Sequence, residues 1–341
     1  MTMLFLQVVN LSISASWLIA AVLVLRLVLK RAPRWISVLL WGLVAIRLVC
    51  PFSIESALSL LPSARTIPFD IMTDPTPSIE TGIPALNQAV NSVIERSFTP
   101  HPAASVNPLQ IFLPILAFVW AAGVFLLLVY TGISYLRLRL RVSTAVRLRG
   151  SIFQTEQVFS PFILGVLRPR IYLPFSLDEA TLAAVIAHEQ AHIQRKDHWW
   201  KPLGFLVLAV HWFNPLVWVS FLLLCRDIEL ACDEKVIREM EPAQRADYSQ
   251  ALLCCSVRQK HTGACPLAFG EVGVKERVKR VLHYRKPAVH LVVLAVVCCF
   301  GAAVCFLTNP QTEPNGVPPA STAGKLDTNR TIPLTEQSAA E

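Results

Sequence analysis

The chain has 341 residues, 54% of them apolar and only 16% charged, with a formal net charge of +8 at pH 7. This balance excludes an ordinary soluble globular protein and points to a protein built around membrane-spanning helices. Most of the positive excess flanks apolar stretches, where basic residues meet anionic lipid, so the charge implies membrane lipid as a partner and no direct nucleic acid binding.

Taken in chain order, four stretches are long enough to span: residues 4–29, 35–52, 111–135 and 289–308. The first has no basic residue ahead of it, unlike a cleavable signal peptide, and is followed by Lys30, Arg31 and Arg34. That charge belongs in the cytoplasm, which puts the amino terminus outside. Alternation then puts residues 53–110 outside, with Glu55, Asp70, Asp74, Glu80 and Glu95 against Arg65 and Arg96. Residues 136–288 fall inside, opening with Arg137, Arg139, Arg141, Arg147 and Arg149, and the tail from Asn309 is again outside. Arg26 and Arg47 lie near the ends of spans and are expected to snorkel.

Within the cytoplasmic part, residues 160–174 carry proline and glycine punctuation among β-branched and aromatic residues, which predicts short strands and turns. They are a candidate edge for a peptide substrate to join as an added strand, or else a purely structural hairpin. Residues 181–192 read Thr-Leu-Ala-Ala-Val-Ile-Ala-His-Glu-Gln-Ala-His. Leu182, Val185 and Ile186 have helical spacing, so His188 and His192 project from one helical face and can reach a single metal. Glu189 is placed to take a proton from water as a general base. A catalytic zinc site needs a third protein ligand. Downstream, Glu229 and Asp233 share one helical face: Glu229 can ligate while Asp233 orients a histidine, and the alternative is a solvated acidic helix.

Residues 203–225 are apolar for about the length of a span, but a continuous span would separate Glu229 from the histidines. Asn214-Pro215 interrupts it, which predicts a re-entrant helical hairpin returning to the same face, with His211 an interfacial or core residue. Residues 244–260 and 272–283 are expected to be helical. The latter sets Val274, Val278, Val281 and Leu282 against a basic face of Lys275, Arg277, Lys279 and Arg280. Nine cysteines, most of them inside or within spans, argue against a disulfide framework, and Cys232 is expected to be a core thiol rather than a ligand.

The ordered set Ser-Pro-Phe-Ile-Leu-Gly-Val-Leu-Arg-Pro-Arg-Ile, His-Glu-Gln-Ala-His, His-Trp-Phe-Asn-Pro-Leu-Val-Trp and Glu-Leu-Ala-Cys-Asp resembles the BlaR/MecR antirepressor metallopeptidases, bacterial membrane proteins of inducible β-lactam resistance. The resemblance implies a gluzincin-like zinc domain between the third and fourth spans, with His188, His192 and Glu229 as ligands of one zinc ion and Glu189 as general base. It also implies a cytoplasmic protein substrate, such as a winged-helix repressor, lost in response to an external signal. Receptor members continue into a penicillin-binding sensor domain with a Ser-x-x-Lys motif. Residues 309–341 read instead as a disordered tail in which Ser321 and Lys325 are four apart, so covalent β-lactam sensing is not expected.

The expected fold is therefore a predominantly α-helical polytopic membrane protein. Residues 1–52 hold two spans, 53–110 an outer loop and 111–135 the third span; residues 136–288 form the cytoplasmic zinc metallopeptidase domain with its small β element and hairpin. Residues 289–308 are the fourth span. The expected activity is a regulatory zinc metalloendopeptidase of a bacterial cell membrane, against a quality-control membrane protease or a non-catalytic signalling scaffold. Homodimer formation, the inducer and the oxyanion donor (His198, His261 or Arg226) are left open by the sequence.

Overall fold

The computed structural model describes residues 1–51, 54–61, 67, 68, 71, 79, 84–96, 109–258 and 273–310. Most of residues 53–110, including Arg65, Asp70, Asp74 and Glu80, lies outside the described residues, as do His261, Cys265 and the tail with Ser321 and Lys325. Among the described residues three helices are long and apolar enough to cross a membrane: α1 (Thr2–Val28), α4 (Leu109–Arg141) and α10 (Val289–Leu307). Phe118, Phe125 and Leu126 on α4, and Val293, Val297 and Phe300 on α10, are exposed, an apolar surface of the kind that lipid covers. Between α1 and α4 come α2 (Arg34–Val49) and α3 (Pro84–Arg96).

The second expected span is shorter than its apolar stretch. Pro33 caps α2 at its start, and Cys50, which precedes Pro51, is already extended. A residue before proline is steered out of the helical region, so the helix stops there. Its 16 residues rise about 24 Å, less than the roughly 30 Å of a hydrocarbon core.

The break at Asn214-Pro215 divides the next apolar stretch into α6 (Asp197–Val210) and α7 (Pro215–Ile237), which pack side by side. The Asn214 side chain caps α7 by accepting from the Leu216 N–H at 2.9 Å. Its amide nitrogen donates to Ser12 Oγ at 2.8 Å and Ser16 Oγ at 2.9 Å, fastening the turn to α1. Around this clasp Leu18, Ile19 and Val22 of α1, Leu40 and Val44 of α2, Leu208 of α6 and Phe221 of α7 form the largest apolar core. Helix α4 docks through the same turn. Trp120 Nε1 donates to the Val210 carbonyl, and Trp212 Nε1 donates to the Trp120 carbonyl.

Gly123 makes that docking possible, since a Cβ there would overlap the Trp212 ring. Gly123→Ala should therefore push Trp212 off α4 and cost about 1–3 kcal/mol. Gly132→Ala, on the same helix with nothing near its Cβ, should not. Thermal unfolding of the two variants in detergent is the check.

Strands β1 (Val146–Arg149), β2 (Ile152–Thr155), β3 (Phe162–Leu164) and β4 (Arg170–Pro174) form one sheet in the order β1-β2-β4-β3. The β2–β4 pair is parallel and the outer pairs are antiparallel. Alternation gives the sheet two different faces. Ile152, Ile171 and Leu173 pack on Val185 of α5 (Glu179–Gln194), while Phe153, Tyr172 and Phe162 stack on the opposite face. The expected strands over 160–174 are present, with β3 at an edge and β4 inside. Helices α8 (Pro242–Arg258) and α9 (Val274–Leu282) pack together against α5 and α7 respectively.

The two span arginines do not snorkel. Arg26 makes two hydrogen bonds of 2.7 Å to the carboxylate of Asp227, which is fully buried and also accepts from Trp41 Nε1 at 2.9 Å. Arg47 is buried and donates to Asn309 Oδ1 at 2.9 Å. A buried polar acceptor holds each guanidinium inside, where reaching for water would leave that acceptor unpaired.

Candidate metal centre

Helical spacing on α5 brings His188 and His192 onto one face, turned toward α7, with their Nε2 atoms 3.1 Å apart. From α7, Glu229 places Oε2 3.5 Å from His188 Nε2 and Oε1 3.5 Å from His192 Nε2. Tetrahedral ligation with bonds of about 2.0–2.1 Å separates ligand atoms by roughly 3.3 Å, so these three side chains already have the spacing one zinc ion demands. All three are buried, as is Glu189. Among the described residues nothing hydrogen-bonds or ion-pairs with the Glu189 carboxylate.

Cys232 is closer to the centre than a plain core thiol. His188, His192 and Cys232 offer ligand atoms within 4.8 Å of one another, a group that could hold a metal ion. The thiol, however, stands 3.7 Å from Nδ1 of His188 and donates to the His188 carbonyl at 3.4 Å. Glu229 faces the Nε2 atoms of both rings.

Buried partners fix the two imidazoles. His192 Nδ1 lies 2.8 Å from Asp197 Oδ2, which Arg195 also engages at 3.2 Å. Asp197 reaches that position because α5 and α6 meet at Lys196, a non-glycine residue with φ 60°, which turns the chain abruptly. His188 Nδ1 lies 2.8 Å from the Tyr248 hydroxyl, which donates to Asp233 Oδ1 at 2.8 Å. With its proton given to Asp233, the hydroxyl oxygen accepts from His188 Nδ1 and turns the Nε2 lone pair toward the centre, where Arg277 Nη2 stands 3.3 Å away in the position a metal would take. Asp233 itself is 3.4 Å from that nitrogen, so it acts on His188 mainly through Tyr248.

Cations complete the centre. Arg277 clamps Asp233 through Nε at 2.7 Å and Nη2 at 2.8 Å, and its Nη1 lies 3.4 Å from Glu229 Oε2. Lys201 Nζ donates to Glu229 Oε1 at 2.8 Å. Expected on the basic face of an amphipathic helix, Arg277 is buried, because α9 packs on α7 and turns position 277 toward Asp233. Of the residues left open as oxyanion donors, Arg226 pairs with Glu276. Spacing within one motif could not reveal Asp197, Tyr248, Arg277 or Lys201. Only Asp197, five residues beyond His192, was near enough in sequence to suspect.

Burial opposes a charged His188, yet Cys232 and Glu229 outweigh it and push the imidazole up to about 10. Burial also opposes an ionised Glu229, but Lys201 and His192 overcome it and hold the carboxyl well below its usual range. The raised pKa stabilises the metal-free fold fully below the ordinary 6.5, and that contribution is lost as pH climbs through about 10. A metal must displace the same proton. Its affinity should rise with pH through neutrality, because both imidazoles are held protonated and each must give up a proton to the metal. Metal titrations of the detergent-solubilised chain across neutral pH test this, and a flat profile would contradict it.

A helical membrane protein with two histidines one turn apart on one helix, and a carboxylate closing on them from another, has the form of a membrane metallopeptidase. The chain belongs to the BlaR1 peptidase M56 family, whose model matches residues 6–281. It is 25% identical over 181 residues to the methicillin resistance mecR1 protein of Staphylococcus aureus, covering 49% of this chain and 31% of that protein. It is 30% identical over 135 residues to the regulatory protein BlaR1 of Bacillus licheniformis, covering 37% of this chain and 22% of that protein. The chain thus spans less than a third of the length of the curated relatives it matches.

Proposed function

We propose that this chain is an integral-membrane zinc metalloendopeptidase of the regulatory kind, cleaving a cytoplasmic transcriptional repressor in response to a cell-envelope signal. The observation that carries the reading is the ligand spacing of His188, His192 and Glu229, with an unengaged Glu189 beside them. In the same reading α2 is a fourth, short span, both termini are extracytoplasmic, the α6–α7 hairpin is re-entrant and the metal centre faces the cytoplasm.

His188, His192 and Glu229 would hold one zinc ion, with Cys232 the competing third ligand. Zinc supplies a Lewis acid for the scissile carbonyl and makes water acidic enough to attack near neutral pH. Glu189 takes the proton from the attacking water and hands it to the leaving amine. Asp197 holds the His192 ring, and the Tyr248–Asp233–Arg277 chain holds the His188 ring, so neither imidazole must reorient during turnover. Lys201 and Arg277 keep Glu229 ionised and aimed.

The test is a comparison of new protein amino termini in native cells carrying wild type or Glu189→Ala, with and without cell-wall stress. A small set of cuts in a DNA-binding repressor, absent from the variant, supports the proposal. Cuts scattered over many membrane proteins would replace it with quality control, and unchanged signalling without Glu189 would replace it with a scaffold.

A further inference from the structure

On the sheet face turned away from α5 lies a second site. Helix α4 has 33 residues and is about 50 Å long, well beyond the roughly 30 Å of a bilayer core. Its last turns, with Arg137, Arg139 and Arg141, therefore stand at the membrane surface. A cleft of about 490 Å³ opens there between α4 and the sheet, lined by Leu136, Leu140 and Arg139 from α4 and by Phe153, Arg170 and Tyr172 from the sheet. That volume accommodates a headgroup-sized ligand.

The lining contains no acidic residue. Among the described residues neither Arg139 nor Arg170 has an ion-pair partner, and Arg170 Cζ lies over the Phe153 ring, 5.2 Å from its centroid. Two uncompensated guanidiniums beside one cavity ask for an anion, and their planar forks suit phosphate. The cavity is not only polar. Leu136 and Leu140, 56% and 71% exposed, continue the apolar surface of α4 directly out of the cleft. The stacked Phe153 and Tyr172 rings add an aromatic wall of the kind that packs against headgroups at membrane interfaces. A free phosphate ion would use the arginines and leave the apolar walls bare.

We propose that this cleft binds one anionic phospholipid, its phosphate between Arg139 and Arg170 and its chains along Leu136 and Leu140. The metal centre lies across the sheet, on α5, so the lipid seats the sheet on the membrane without touching the chemistry. This depends on α4 crossing the bilayer and not on peptidase activity.

The experiment is native mass spectrometry of the delipidated full chain in detergent, titrated with phosphatidylglycerol or phosphatidylcholine. Wild type should retain one phosphatidylglycerol in preference to phosphatidylcholine. Arg139→Gln/Arg170→Gln should weaken that retention tenfold or more, while Arg137→Gln/Arg141→Gln, with equal loss of charge outside the lining, should not. Equal weakening in both doubles would reduce the effect to general surface charge and overturn the proposal. Displacement of the lipid by an equal concentration of inorganic phosphate would overturn it in favour of a simple anion site, and co-purification of a protein in the cleft in favour of a protein partner. Metal content, set on the other side of the sheet, reports whether each variant is folded. Should the cleft double not fold, the single Arg139→Gln at an exposed position decides, with several-fold weaker retention expected and unchanged retention overturning the site.

Discussion

Replacing Glu189 by Gln is expected to leave about one metal ion per chain while lowering turnover by about 10²–10⁴, the usual contribution of a general base. The carboxylate is buried beside the ligands but engaged by no described residue, so the amide fits the same space and breaks no contact. The ligands should behave differently. His188→Ala and His192→Ala each remove an Nε2 from a pair 3.1 Å apart, and metal and activity should fall together. The sharpest comparison is Glu229→Gln with Cys232→Ser. If the carboxylate is the third ligand, as its approach to both Nε2 atoms indicates, the first variant loses the metal and the second retains it. The reverse result would give the third position to the thiol. Metal per chain by elemental analysis, measured with the cleavage rate on a repressor identified in cells, separates these outcomes.

The parts of this centre that could be read from sequence are those written on a single element. His188 and His192 are legible because helical periodicity alone puts them on one face, and Glu229 because its own helix carries a second acidic pair. The Asn214-Pro215 turn was equally plain, since proline and a capping side chain act locally. What escaped depends on docking between elements distant in sequence. Tyr248 meets His188 only because α8 packs on α5. Arg277 belongs to a helix whose periodicity gives it a polar face, and nothing in that pattern says the face is covered by α7 and neutralised by Asp233. Helix α2 is shorter than its apolar stretch for a simpler reason. Apolar content continues to residue 52, but Pro51 ends the helix before composition does.

Asp227→Ala should be among the most destabilising single changes in the chain, at about 3–5 kcal/mol, the cost of stranding one partner of a buried ion pair. Asp227 is fully buried, holds Arg26 through two 2.7 Å bonds and takes a further bond from Trp41, so α1, α2 and α7 meet on one carboxylate. Removing it leaves a guanidinium and an indole N–H without an acceptor in an apolar setting. Arg26→Met/Asp227→Leu should recover part of the loss, because an apolar pair carries no desolvation penalty. Asp227 also stands two residues before Glu229 on α7. A helix that loses its anchor to α1 and α2 loses the register that holds Glu229 against the two histidines, so the single variant should lose metal at a lower temperature as well. Thermal unfolding in detergent, followed together with metal release, tests both parts. A single variant as stable as wild type would show that the pair closes at no net gain, and a double variant no better than the single would show that the charges themselves, rather than their pairing, hold α7 in place.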